Sequence, residues 1–417
     1  MKMFFRLVLS GLIFTASILG AGSAFGQAGT LDKSFGSGGT AVTNIAAGVI
    51  DATELQSDGK ILVLLEPPNA ANELIRFTTT GALDTTFGTN GAASLATGIG
   101  VAMTLQANGQ IVVMGIVSNS SGNFLGGERL NANGTEDITF GDNGVALQSL
   151  ENRAPLEGDV ILAEPNGDIL AALGLDPTGR REPAQVFFAR FLSTGVPDNS
   201  FGSSGVVIAN GAASVTALAL LSNGDFLDVF GSTVVEFSAN GTQLSTVSAA
   251  SVVASSGSNS SQFSTNVFQS NGDFLYASDD FVGEESRGHN CSVLVQRFTE
   301  AGVADSSFAN PSFHFVGAGG PDIEALVNAI TVAPNGDVVV AGQQTTFARS
   351  GDTTVNGLAR LTPSGALDTT FGSGGLVSNS TPAGSAGFSN AAVQSNGNIV
   401  VAGIANGELF LSRYLGN

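Results

Sequence analysis

An all-β ring of seven four-stranded units is the fold this sequence predicts, on three observations. Two short markers each recur seven times, apolar segments of strand length lie between them, and the two ends of the chain complement one another. The first marker is Leu83-Asp84-Thr85-Thr86-Phe87-Gly88, with copies at 31–36, 136–141, 197–202, 304–309 and 367–372 and an eroded copy near 241–248. The second is an Asx-Gly pair, at Asp58-Gly59, Asn108-Gly109, Asn166-Gly167, Asn223-Gly224, Asn271-Gly272, Asn335-Gly336 and Asn396-Gly397.

Each Asx-Gly pair sits between apolar segments rich in β-branched residues, as at 102–106 and 111–116, which predicts a hairpin with a type I′ turn. These are strands A and B of a unit. A third segment, typified by Leu74-Ile75-Arg76-Phe77, gives strand C, and a fourth, typified by 92–95, follows the Phe-Gly motif. Such a unit cannot bury both faces of its sheet alone, so the units stack as a solenoid or close as a ring. The chain ends after a third strand at Leu411-Ser412-Arg413-Tyr414, whereas the mature start near Thr30 opens on the Phe-Gly motif and a fourth strand. If 41–45 supply the outer strand of the seventh unit, the ring closes without a long bare edge, which is a seven-bladed β-propeller.

On these motifs the chain resembles the bacterial delta-60 repeat family, whose units pair an Asp-Gly turn with Leu-Asp-x-x-Phe-Gly. The resemblance covers nearly everything after the leader; it implies a β-propeller and no particular activity. One unit departs from it, at 213–250, which lacks the Phe-Gly motif and carries Glu236 where most others have Arg.

Residues 1–24 carry Lys2 and Arg6, then an apolar run, then Gly22-Ser23-Ala24, the layout of a secretory signal peptide. No Cys follows that run, so lipid attachment is not expected. We expect one domain over 25–417, outside the cytoplasm of a bacterium: secreted, periplasmic or on the cell surface. Without the leader, 13 basic residues face 35 acidic ones, a net charge of −22. That field repels nucleic acid and anionic membranes, so we expect neither a nucleic-acid partner nor membrane insertion after leader cleavage, and a monomer. The single Cys291 excludes an internal disulfide and is either buried and inert or open to an intermolecular bond.

The motif Asp at 32, 84, 137, 198, 305 and 368 is expected to accept backbone N–H bonds in a turn, because one carboxylate per copy is too few for calcium. The neighbouring Phe is expected as a wedge between units. Arg76, Arg129, Arg190, Arg297, Arg360 and Arg413 share a position in strand C and are expected to pair with a motif Asp of their own or an adjacent unit.

Residues that break the repeat carry the functional expectation. The B–C connections at 117–127, 176–185, 278–291 and 343–356, and the D–A connections at 148–157, 255–261 and 316–324, vary in length and gather on one side of the ring. Among them Phe124, Phe281 and Phe347 stand beside Ser, Asn and Gly, with Arg153, Arg180, Arg181, Arg287 and Arg349. Aromatics and Arg among adaptable polar residues compose binding surfaces, although the same Phe side chains could pin long loops. Seven places before each Asx-Gly pair stand Asp51, Val101, Asp159, Thr216, Ser264, Asn328 and Ser389, a largely polar ring at the mouth of the central channel. It serves either to cap strand entrances or to meet a ligand.

No nucleophile elbow, P-loop or dinucleotide fingerprint is present, and His289 with Cys291 is too small a set for zinc unless His314 comes close. No cofactor is expected. These readings favour a non-enzymatic binding module for a protein or glycan. The alternative is an extracellular polysaccharide hydrolase or lyase using Asp51 and Asp159 at the channel mouth.

Overall fold

The computed structural model describes residues 27–416, except 69, 96–101, 151–152, 156–159, 177–184, 211–214, 216, 231–232, 249–263, 270, 282–289, 302, 317–321, 350 and 380–384. Every regular element among them is a strand.

The first repeat forms a sheet of β2 (Val49–Leu55), β3 (Ile61–Glu66), β4 (Glu73–Phe77) and β5 (Ala92–Ser94). The second forms β6 (Ala102–Leu105), β7 (Ile111–Asn119), β8 (Gly122–Leu130) and β9 (Val145–Ser149). The third holds β10 (Val160–Ala163), β11 (Ile169–Leu175), β12 (Gln185–Phe191) and β13 (Val206–Asn210). The fourth holds β14 (Ala217–Leu220), β15 (Phe226–Phe230), β16 (Thr233–Phe237) and β17 (Gln243–Ser248).

The fifth and sixth repeats share one eight-stranded sheet, a departure from seven separate ones. It contains β18 (Ser264–Phe268), β19 (Phe274–Phe281), β20 (Asn290–Phe298) and β21 (Ser312–Phe313), then β22 (Ile323–Val332), β23 (Val338–Thr346), β24 (Thr353–Leu361) and β25 (Leu376–Asn379). The join is a short parallel pairing of Asn290 with Ile323 and Cys291 with Glu324. Pro311 takes one donor from the fourth strand of the fifth repeat, which shrinks to the two residues of β21. The last sheet is β26 (Ser385–Val393), β27 (Ile399–Ala405), β28 (Glu408–Tyr414) and β1 (Thr40–Ala46), the N-terminal strand pairing antiparallel with the C-terminal one.

Strand B of the first repeat reads as a continuous apolar run because both of its faces are covered. Ile61, Val63 and Leu65 join the core shared with the last sheet, while Leu62 and Leu64 join the core shared with the second. The first strands touch in order, β2 to β6, β10, β14, β18, β22 and β26, and β26 touches β2.

The Asx-Gly turns differ from the expected type I′. Only the glycine has positive φ, as at Gly109 (+84°), and Gln106 pairs through its N–H with the Gln110 carbonyl. That is a type I turn with a glycine bulge, and at all seven the Asx Oδ1 accepts the N–H two residues on, across 3.0–3.2 Å.

The Phe-Gly motif latches each repeat to the next. Asp84 Oδ1 accepts from the Thr86 N–H and hydroxyl, and its Oδ2 accepts from Arg76 Nε at 2.9 Å. Arg76 lies 4.5 Å from the centre of the buried Phe87 ring, and its Nη1 donates to the Ala132 carbonyl of the second repeat. Gly88 N–H donates to Asn133, and a Cβ on Gly134 would stand 2.8 Å from the Phe87 ring. Arg129, Arg190, Arg297, Arg360 and Arg413 repeat the arrangement with Asp137, Asp198, Asp305, Asp368 and Asp32. They reach the carbonyls of Ser193, Ala239, Pro363, Gly416 and Thr79. The arginines therefore pair within their own repeats, and both oxygens of each motif Asp are occupied.

Among the described residues the fourth repeat has no such latch toward the fifth. Its strands C and D are joined by the tight turn 238–242, and Glu236, in the arginine position, accepts from Ser245.

Candidate functional site

Strand β2 carries two carboxyls that burial raises above the ordinary carboxylate range. Asp51 is skipped by the ladder between Ile50 and Ala52, and its Oδ2 is buried without a hydrogen-bond partner. Burial, and then the charge of Glu66, push its carboxyl up to about 7. Three residues on, burial pushes Glu54 up to about 7 against the opposing bond from the Leu55 N–H. A carboxyl that holds its proton near neutral pH can serve as a general acid.

The expected polar ring is in part a ring of β-bulges. Asn328 and Ser389 occupy the same skipped position as Asp51, between Val327 and Ala329 and between Phe388 and Asn390. Asn328 Nδ2 donates to the Phe388 carbonyl at 2.7 Å, and Asn390 Nδ2 donates to Ile50 at 3.2 Å. These amides staple neighbouring first strands. Val101, Asp159 and Thr216 lie outside the described residues, so the Asp51 and Asp159 pair does too.

On the B–C side, two expected loops are strands. Residues 117–127 continue β7 into β8, and within 343–356 only 347–352 separates β23 from β24. Cross-strand pairing carries through both, as Val117 with Phe124 and Thr346 with Thr353. Phe124 is half-buried in β8. Phe347 is half-buried at the β23–β24 tip, its N–H donating to the Asp322 carbonyl at 2.9 Å. Arg349 at the same tip is exposed. Arg153 is used internally, with Nη2 donating to Gln185 and its carbonyl accepting from Asn123. Phe281 ends β19 opposite Cys291, and its side chain, with Arg180, Arg181, Arg287 and His289, lies outside what the structure describes.

Cys291 is buried, its Sγ donating to the Ala325 carbonyl at 3.7 Å. Among the described residues no group of three or more His, Cys, Asp or Glu side chains is placed to hold a metal.

Sequence reasoning missed three residues. Glu54 is one. Phe315 is another, buried against Gly342 and Gly357 so closely that a Cβ on Gly357 would stand 2.1 Å from it. The third is Asp228, fully buried with neither oxygen hydrogen-bonded, its carboxyl held well above the usual carboxylate range by burial. Aligning on the Asx-Gly pairs would have exposed it, because Val63, Val113, Val340 and Val401 occupy its place.

The architecture is that of an all-β protein of repeated four-stranded sheets. A family model described as "Domain of unknown function (DUF5122) beta-propeller" matches residues 333–371. No curated protein matches. Among solved structures, the chain is similar to the extracellular domain of BT4673 from B. thetaiotaomicron, with 10% identity and a TM-score of 0.41 over 89% of this chain. It spans 40% of that longer chain. A protein of unknown function from Bacteroides caccae gives 14% identity and 0.34, covering 79% of this chain and 94% of that one. The polysaccharide lyase Uly1 gives 10% and 0.36, covering 90% and 92%. Among the described residues no helix is long and apolar enough to cross a membrane.

Proposed function

We propose that the chain is a secreted seven-bladed β-propeller of the delta-60 type, a single domain over 25–417, that acts as a non-enzymatic binding module. It engages a protein or glycan through the side carrying the B–C hairpins and D–A segments. The observation that carries this reading is an asymmetry of use. On the A–B and C–D side the arginines and motif aspartates are spent on latches, whereas the other side presents Arg349 exposed and Phe124 and Phe347 half-buried on hairpins of unequal length. From their place in the sequence, Phe281, Arg180, Arg181 and Arg287 are proposed as further contacts, together with Asn328. The return contact of β26 on β2 and the pairing of β1 with β28 support ring closure. The test is a thermal-shift screen of the mature protein against glycans and peptides. Arg349→Glu should weaken any hit at least tenfold with an unchanged midpoint in the absence of ligand; full binding by that variant would overturn the assignment.

A second reading, a polysaccharide hydrolase or lyase at the channel mouth, draws on the Asp51 and Glu54 carboxyls near 7. It expects Asp51→Asn to abolish turnover of a polymer, and unchanged turnover would remove it.

A further inference from the structure

A cavity of about 160 Å³ lies between the sixth and seventh repeats, on the latch side and away from the proposed binding surface. Its walls include Ala333, Asp337, Arg360, Ser395, Asn396 and Gly397. The repeat itself explains the space. Two residues before the Asx, the first, second, fifth and seventh repeats carry Gln56, Gln106, Gln269 and Gln394, and the sixth carries Ala333.

Gln56, Gln106 and Gln394 cross into the next repeat. Gln106 Nε2 donates to the Gly167 carbonyl, Gln394 Nε2 to Gly59 at 3.5 Å, and Gln56 Nε2 to Ala132 at 3.4 Å. In the first two repeats the glutamine oxygen also accepts from the latch arginine, Arg76 Nη1 at 3.2 Å and Arg129 Nη1 at 3.5 Å. At the cavity both halves of this arrangement remain while the glutamine is missing. Gly397 is the counterpart of Gly167 and Gly59, and Arg360 is the counterpart of Arg76 and Arg129. Arg360 commits Nε and Nη2 to Asp368 and one Nη1 proton to the Gly416 carbonyl, which leaves the second Nη1 proton without a partner among the described residues.

We propose that this cavity is a binding site for a primary carboxamide, such as a glutamine-type side chain, whose oxygen accepts from Arg360 Nη1 and whose nitrogen donates to the Gly397 carbonyl. The charges select for a neutral group. Asp337, 3.8 Å from Arg360 Nε, opposes a carboxylate, and Arg360 opposes a cation. At about 30 Å³ per water the volume holds roughly five waters, enough for the amide and the carbons that carry it.

The probe is propionamide, the glutamine side chain as a free molecule, titrated into the isotope-labelled mature protein and followed by NMR. We expect saturable shifts at Gly397, Ser395 and the Arg360 side chain. Propionate at the same concentration should give responses at least tenfold weaker. Ala333→Gln supplies the missing amide and Ala333→Leu fills the space as Leu221 does in the fourth repeat; both should abolish the propionamide shifts. No saturable shift with propionamide, equal binding of propionate, or binding undiminished in a folded Ala333 variant would each overturn the proposal.

Discussion

Gly372 donates its backbone N–H to the Ala28 carbonyl across 2.9 Å, although the two residues stand near opposite ends of the chain. The bond is the same one that Gly88 makes to Asn133 and Gly141 to Thr194, so the segment at Ala28 meets the sixth repeat as the next repeat does elsewhere.

Breaking one latch should be costly because both charges are nearly buried. In Arg129→Ala the Asp137 carboxylate loses its cation and the Phe140 ring its cover, and we expect a loss of about 3 kcal/mol in urea denaturation at pH 7. A loss below about 0.5 kcal/mol would show the latch to be decorative.

The latch aspartates set the acid limit of stability. Burial pushes the Asp84 carboxyl up, but the Thr86 hydroxyl and N–H, Lys60 and Arg76 outweigh it and hold it at about 2. At Asp305 the Ser307 hydroxyl leads, followed by the Ser307 N–H and Arg297, to about 2. Their folded values lie below the unfolded value near 4, so the stabilisation is full above pH 4 and disappears as pH falls from 4 through 2. Circular dichroism across that window should show cooperative acid unfolding, and Asp305→Asn should flatten it.

Asp228 acts in the opposite direction. Its raised carboxyl adds no penalty below pH 4, and the penalty grows as pH rises above that value until the folded form ionises. Asp228→Val, which restores the residue of four other repeats, should gain roughly 1–3 kcal/mol at pH 7 and far less at pH 4, read from denaturation midpoints. An equal effect at both pH values would indicate packing alone.

The joint between the fourth and fifth repeats is the unlatched one. Native-state hydrogen exchange should therefore show β17 and β18 opening at lower free energy than β5 and β6, which flank a latched joint. Uniform protection across both joints would contradict this.

Much of the fold was legible because the repeat is written in residues that have one conformational use. The motif Asp, Phe and Gly marked the repeated units, and the shared position of the arginines pointed to their pairing. The Asn-Gly pairs pointed to the right place and the wrong turn, since an Asn-Gly pair also fits a type I turn in which only Gly takes positive φ. Residues 117–127 read as a loop from their Ser, Asn and Gly content, yet the β7–β8 ladder overrides that local preference. Joining the fifth and sixth repeats into one sheet depends on β20 reaching β22, which no repeat pattern encodes. At the candidate site, Asp51 was visible by alignment, while the roles of Asn328 and Arg153 depend on partners far away in sequence, Phe388 and Gln185.

Ring closure by the N-terminal segment is the central claim, and the most direct measurement is the thermal unfolding of a chain that begins at residue 47. Without β1, Asp32 and Phe35, the edge of β28 and the Arg413 guanidinium lose their partners. The midpoint should fall by at least 10 °C, or the chain should associate through the bare edge. An unchanged midpoint in a monomer would contradict it.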